Sequence, residues 1–298
     1  MDASAVDSRL LRYFVAVAEE LNFTRAAERL HIATPPLSRA IRKLEAELGV
    51  SLFHRTTHAV ALTPAGEVLL KGARVALDAL EAAVRRAQRT ADPRLVLTVK
   101  TDNDAGLLEA ILSRYALYAS STKAPPVHVR LSGWREQARL VRRGEADAAL
   151  LYEPFDTTGL DHETITVDPC VVALPAAHPL APQPAVTLGE LDLPGVEAGR
   201  PETFYKYLDT IAHEHRLQDL TQLLKRVELG ELITLLPASV ASHYPRPGIA
   251  YRPVPGAPSA RLAIAWPKES RSPAIAALVR AATTSAQAAN TAAEQPPA

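Results

Sequence analysis

Cysteine is nearly absent from this 298-residue chain. The one thiol, Cys170, excludes an internal disulfide and a multi-cysteine zinc site. It is expected to be buried filler, because a redox switch needs a partner thiol that the chain lacks. The composition fits a reduced, cytoplasmic protein. Long apolar runs are missing too. No stretch approaches the roughly 20 residues needed to span a bilayer, and the opening MDASAVDSR is too acidic for a signal peptide, so no membrane partner is expected. Nor is there a nucleophile elbow, a metal-ligand cluster or a glycine-rich phosphate loop. His213 and His215 lie two apart and cannot share a helix face, which argues against a metal there. No catalytic role, no cofactor and no metal are expected.

Net charge is also lacking, with 33 Lys and Arg against 33 Asp and Glu. Its distribution is uneven. Residues 1–90 carry 13 cations against 10 anions and the remainder 20 against 23, so a small positive excess sits at the front. There the stretch 24–48 reads as two short helices about a tight turn. Ala26, Ala27 and Leu30 stripe the first, and Leu37, Ile41, Leu44 and Leu48 stripe the second. The opposite side of the second helix carries Ser38, Arg39, Arg42 and Lys43, groups suited to phosphates and base edges. Residues 8–21 supply a third helix with Leu10, Leu11, Phe14, Val15, Ala18 and Leu21 inward, Phe23 plugs the core, and Thr24 is placed to cap the next helix. Ser51–Phe53 and Ala59–Leu62 read as a two-stranded wing.

Thr63 and Pro64 start a helix that runs to about Thr90. Leu70, Leu77 and Val84 recur every seven residues, as do Ala73, Leu80 and Ala87 three residues later, the seam of a two-stranded coil and hence of a homodimer. Ala91, Asp92 and Pro93 mark a hinge. Strands then alternate with helices, predicting an α/β domain with a parallel sheet in its first lobe. A second lobe spans about 168–258, and a strand at Arg261–Trp266 with a helix at Pro273–Ala282 returns to the first. The boundaries expected are 1–63 for the winged helix-turn-helix, 64–90 for the linker helix, 91–284 for the two-lobed domain and 285–298 for a disordered tail.

LRYFVAVAEELNFTRAAERLHIATPPLSRAIRKLEAELGVSLFHRT and LTPAG together resemble the head of LysR-type transcriptional regulators. LVLTVKTD, RRGEADAALLYEP, VVALPAAHPLA, ITLLPASV and LAIAWPKESRSPAI resemble the same family's effector domain. The resemblance implies a fold of multi-domain α/β class, with a winged head and a two-lobed domain like a periplasmic binding protein. It also implies a homotetramer of two dimers on a two-fold promoter site in double-stranded DNA, reset by a small-molecule effector, with RNA polymerase as a further partner. The family's motif puts Thr34, Pro35, Ser38, Arg39 and Arg42 at or near the major groove, with Thr24 and Lys43 beside them, and Arg55 of the wing is expected at the minor groove or the backbone beside it. Ala33 and Thr34 stand where the family usually has Ser or Thr followed by Gln, which alters the cap and removes an amide suited to adenine.

Loops after strand ends and helix starts face such clefts. They bring in Thr101, Asp102 and Asn103, then Ser132, Gly133 and Trp134, then Arg200, Pro201 and Glu202. Backbone N–H groups and Arg200 suit a carboxylate, whereas Asp102 and Glu202 suit an amine or simply cap helices. HEHRLQDLTQ passes directly between two helices where the family usually inserts a strand, which predicts a reduced second lobe. An effector-independent regulator with a degenerate pocket is therefore the alternative to a ligand-gated one. A solute carrier would need neither head nor coil.

Overall fold

The computed structural model describes residues 7–55, 59–88, 94–101 and 104–294. It divides into two compact units, Met1–Gln88 and Arg89–Ala298.

In the first unit, α1 (Ser8–Glu20) is capped by Asp7 and ends on Leu21, which takes a left-handed conformation (φ 46°) and is 47% exposed instead of joining the core. α2 (Phe23–Arg29) is capped not by Thr24 but by Asn22, whose Oδ1 accepts from the backbone N–H groups of Thr24 and Arg25 at 2.9 and 3.1 Å. The cap lies one residue before the first helical residue, and Thr24 is already inside the turn. α3 (Thr34–Leu48) ends on Gly49 at φ 69°, a conformation open to glycine without a Cβ clash. Phe14, Ala26, Leu37, Ile41 and Leu44 are fully buried in one core.

The wing pairs β1 (Phe53–Arg55) with β2 (Val60–Leu62), Phe53 opposite Leu62. The expected first strand therefore begins two residues later. Phe53 anchors the wing with ring centroids 5.4 Å from Phe14 and 6.0 Å from Phe23. Glu45 of α3 fastens it, its Oε1 accepting from Leu52 N at 2.9 Å and Phe53 N at 3.3 Å. α4 (Pro64–Gln88) starts as expected: the Thr63 hydroxyl accepts from Gly66 N at 3.0 Å and donates to Ser51 O at 2.7 Å. Gly66 is compulsory, since a Cβ there would lie 2.3 Å from the Leu52 carbonyl oxygen. The expected hinge at Ala91, Asp92 and Pro93 lies outside the described residues.

The second unit holds two sheets. β3 (Leu95–Lys100), α5 (Leu108–Thr122), β4 (Val127–Ser132), α6 (Gln137–Arg142), β5 (Ala148–Glu153) and β6 (Leu160–Asp168) build the first lobe. The chain then crosses into β7 (Cys170–Pro175), α7 (Pro201–Glu214), α8 (Leu220–Glu228), β8 (Thr234–Pro237), α9 (Ala238–His243) and β9 (Ile249–Pro253). It returns through β10 (Ala260–Pro267) to α10 (Pro273–Glu294). The first sheet has the order β4-β3-β5-β10-β6 and the second β8-β7-β9.

The sheet is mixed, not parallel. β3 runs parallel to β4 and β5, but β10 comes back from the second lobe antiparallel to both β5 and β6. The second sheet is wholly antiparallel, and β6 and β7 belong to different sheets. No strand lies between α7 and α8; Asp219 caps α8 directly by accepting from Gln222 N at 2.8 Å. Leu97, Leu150, Leu174, Leu223, Ile264 and Leu278 are fully buried in a core shared by both lobes.

The expected disordered tail is largely helix. α10 continues to Glu294, burying Ser285 and Ala286, with Arg114 donating to Ser285 Oγ at 3.4 Å. Low complexity here is an alanine-rich helix, and alanine is both the best helix former and small enough to pack closely.

Candidate nucleic-acid interface and ligand cavity

α3 owes its two faces to helical spacing. Leu37, Ile41 and Leu44 are fully buried, which turns Ser38, Arg39, Arg42 and Lys43 the other way. Arg39 and Arg42 are exposed and form no ion pair among the described residues, whereas Lys43 lies 3.6 Å from Glu47. The arginines of α2 are occupied: Arg25 meets Glu20 at 3.1 Å and Arg29 meets Glu19 at 2.8 Å. The two open guanidinium forks of the helix pair are thus both on α3. Thr34 and Pro35 form its first turn, and Ala33 offers no side-chain cap. That cap has little to bind, because the second and third helical residues, Pro35 and Pro36, carry no N–H.

Arg55 does not project as a free cation. Its guanidinium contacts Glu45 Oε2 at 2.7 Å and stacks 4.9 Å from the Phe23 ring centroid. Glu45 and Phe23 stand on one side of the wing root, and an ion pair plus a ring face outweighs solvent for this side chain. Any reach to DNA would require releasing that pair. The sequence pattern missed Glu45 because its position reads as an ordinary helix-surface acid.

The seam on α4 divides. Leu70 packs against the core of its own head and Ala73 is buried in it. Leu77 is half-buried, while Leu80 and Val84 are 41% and 50% exposed, and Ala87 is exposed. Val68 and Val75, which the seam omits, are also exposed, seven residues apart.

In the second unit a cavity of about 280 Å³ lies between the lobes, walled by β5, α6, α7, α8 and the start of α9. Of the nine positions expected to face it, Trp134 is a wall residue. Thr101 is an exposed turn residue, and Asp102 and Asn103 lie outside the described residues. The Ser132 hydroxyl donates to Val99 O at 3.2 Å, and Gly133 N donates to Glu136 Oε2 at 2.8 Å. Arg200 is exposed and pairs with Glu197 at 2.9 Å, and Pro201 and Glu202 form the first turn of α7 away from the cavity walls. The cavity meets α7 along its flank, at Phe204, Tyr205 and Leu208, not at its N-terminus.

The residues that do wall it include Lys100, Arg135, Arg142, Tyr152 and Phe155. One signal pointed there: in a chain with 5 Phe, 8 Tyr and 2 Trp, the rings of Trp134, Tyr152, Phe155, Phe204 and Tyr205 gather at this one cavity. Arg135 reaches Asp209 of α7 at 2.6 Å, an ion pair from the first lobe to the second. Burial raises the Asp209 pKa and Arg135 opposes that rise. Arg142 meets Asp156 at 3.2 Å. Lys100 closes β3 with its Nζ 4.1 Å from the Trp134 ring centroid, and burial lowers its pKa to about 8 against the opposing pull of Asp219.

Where the chain crosses lobes, Asp168 is buried and accepts from the Tyr152 hydroxyl at 2.9 Å, from Ser239 N at 3.3 Å and from the Ser239 hydroxyl. One carboxylate thereby ties β5 of the first lobe to α9 of the second. Cys170, two residues on, is buried, and burial pushes its thiol up to about 12, the environment of inert filler.

Comparison with known proteins covers both units. The family model described as bacterial regulatory helix-turn-helix protein, lysR family, matches residues 8–67, and that of the LysR substrate binding domain matches residues 105–287. The Hca operon transcriptional activator HcaR of Escherichia coli K12 is 33% identical over 286 residues, covering 91% of this chain and 95% of that protein. Among solved structures, CbnR, a LysR family transcriptional regulator, is similar with a TM-score of 0.55 at 25% identity, covering 94% of this chain and 99% of that one. Full-length BenM gives 0.51 at 27%, covering 98% and 100%. The winged head and the two-lobed domain are the parts those two family models describe, and the chain belongs to the LysR family of transcriptional regulators, a DNA-binding protein with an effector-binding domain and not an enzyme.

Proposed function

We propose that α3 reads operator DNA through Ser38, Arg39 and Arg42, with Thr34, Pro35 and Lys43 beside them, in a homodimer joined along the exposed stripe of α4. The observation that carries this is the pair of exposed arginines without carboxylate partners on the face opposite the buried Leu37, Ile41 and Leu44. Paired heads require a two-fold site with half-sites about 34 Å, or a multiple of it, apart. A small molecule in the interlobe cavity alters DNA binding or bending. The cavity's size and its aromatic walls support this reading over an effector-independent regulator.

The test is DNA selection from a random pool followed by footprinting of the selected site. Arg42→Ala and Arg39→Ala are expected to weaken specific binding about tenfold or more, at about 1–3 kcal/mol per lost bidentate contact. Arg55→Ala is expected to act mainly through wing stability. Unchanged affinity and base preference in both α3 variants would sink the assignment.

A further inference from the structure

Lys100 is the one cation of the cavity wall that no carboxylate pairs with among the described residues. Arg135 is held by Asp209 at 2.6 Å and Arg142 by Asp156 at 3.2 Å. The Lys100 side chain is half-buried, its Nζ 4.1 Å from the Trp134 ring centroid, in a wall shared with Phe155, Leu208 and Val240. An ammonium withdrawn from water without a counter-ion is costly, and a lysine escapes that cost by releasing its proton. Burial accordingly lowers the Lys100 pKa to about 8, against the pull of Asp219 at the start of α8. The Trp134 ring face also favours the ammonium. The Arg135–Asp209 and Arg142–Asp156 pairs are each neutral overall, and Tyr152, raised by burial, stays an uncharged phenol. At pH 7 about a tenth of Lys100 is then free amine, where an ordinary lysine has less than about a thousandth. The six other lysines, Lys43, Lys71, Lys123, Lys206, Lys225 and Lys268, are all exposed.

Resting on the reading that this cavity takes a small molecule, we propose that Lys100 is a covalent capture site for a small aldehyde, which it holds as an imine inside the cavity. A desolvated lysine in an apolar pocket is the form of amine that makes Schiff bases. The Nζ lone pair adds to the carbonyl carbon, and the C=O π pair moves to the oxygen, which takes a proton to give a carbinolamine. The nitrogen then gives up its two protons in all, the hydroxyl leaves with them as water, and a C=N bond remains. Amine and aldehyde thus become imine and one water, with no oxidant or reductant. An aldehyde suits the site better than a ketone, whose second substituent crowds the tetrahedral carbon in a cavity of about 280 Å³. That volume lies at the small end of ligand pockets. The same apolar walls keep bulk water from hydrolysing the product.

The experiment is reductive trapping on the full-length protein with pentanal or 1-pyrenecarboxaldehyde and cyanoborohydride, read by intact mass and peptide mapping. A short peptide with a free α-amino group, whose ordinary pKa is about 7.7–8.0, is present to report basicity alone. At pH 7 pentanal is expected to label Lys100 at least tenfold faster than any of the six exposed lysines, and to lose that selectivity in denaturing urea. Relative to the peptide, the pyrene aldehyde should label Lys100 at least tenfold more slowly than pentanal does, because it is too large to enter. The Lys100 rate should rise about tenfold from pH 6 to 7 and level off above 8, while the exposed lysines continue to rise. Lys100→Arg should remove the fast adduct and leave the slow ones. The ranking among lysines in the unmodified protein decides the matter even if that variant fails to fold. Labelling of Lys100 no faster than an exposed lysine, or equal labelling by the two aldehydes relative to the peptide, overturns the inference. Fast labelling of Lys100 that leaves the DNA footprint unchanged upholds the capture site and counts against the ligand-gated reading instead.

Discussion

Asp168 is a buried carboxylate held by the Tyr152 and Ser239 hydroxyls and the Ser239 N–H rather than by a cation. Removing it strands buried donors in both lobes, at about 1–3 kcal/mol for each group left unsatisfied. Asp168→Ala is therefore expected to lower the urea midpoint of the effector domain clearly, and Asp168→Asn, which keeps an acceptor, to lower it less; an unshifted midpoint would contradict the tie. Lys100 gives a pH prediction. With its pKa near 8, the ammonium that attracts an anion is present below that pH and lost above it. Affinity for an anionic ligand of the interlobe cavity should be flat from pH 6 to 7 and fall about tenfold per unit well above 8 until binding no longer depends on charge. Tyr152 and Tyr205, both raised, do not titrate in that range, and Asp219 is the carboxylate whose pull keeps Lys100 from falling further. A profile that stays level to pH 9.5 would exclude Lys100 as the anion's partner.

Helix starts show the same economy at the scale of the element. α2 begins with Asn22 accepting two backbone N–H groups, and α3 begins with Ala33 followed by two prolines that remove the donors a cap would serve. Asn22→Ala should cost about 1 kcal/mol of head stability, whereas Ala33→Ser should change it by less than about 0.5 kcal/mol. Thermal unfolding of the two variants checks this contrast, and a large gain from Ala33→Ser would mean that the proline argument is wrong. On that argument the departure at Ala33 has little bearing on helix stability. α4 likewise serves two purposes along its length. Its first turns bury Ala73 in the head, while its later turns leave Leu80 and Val84 outward.

For the whole molecule, the proposed pairing of two chains along that outward stripe would set how many heads meet one operator. Leu80→Glu with Val84→Glu should yield monomers in sedimentation velocity without unfolding the head, since neither side chain belongs to its core. Operator affinity should drop at least about a hundredfold, because a second half-site engaged by a tethered head adds two to four decades of avidity. A double variant that remains dimeric would move the interface elsewhere, with Val68 and Val75 the next exposed pair on α4.

The helix-turn-helix, the wing and the long helix were legible in the chain because each is written in short-range periodicity and capping chemistry. The buried stripe of α3 fixes the direction of Arg39 and Arg42 without any knowledge of the remaining fold. The alternation of strands and helices likewise gave the two lobes. What the sequence could not carry was anything set by contacts distant along the chain. β10 returns antiparallel beside β5, α10 runs on through the apparent tail, Arg55 folds back onto Glu45 and Phe23, and Arg200 turns to Glu197 away from the cavity. The pairing of Lys100 and Tyr205 in one wall is of this kind. They lie about a hundred positions apart, on a strand end and a helix flank, and only the packing of one lobe on the other makes both residues walls of one cavity.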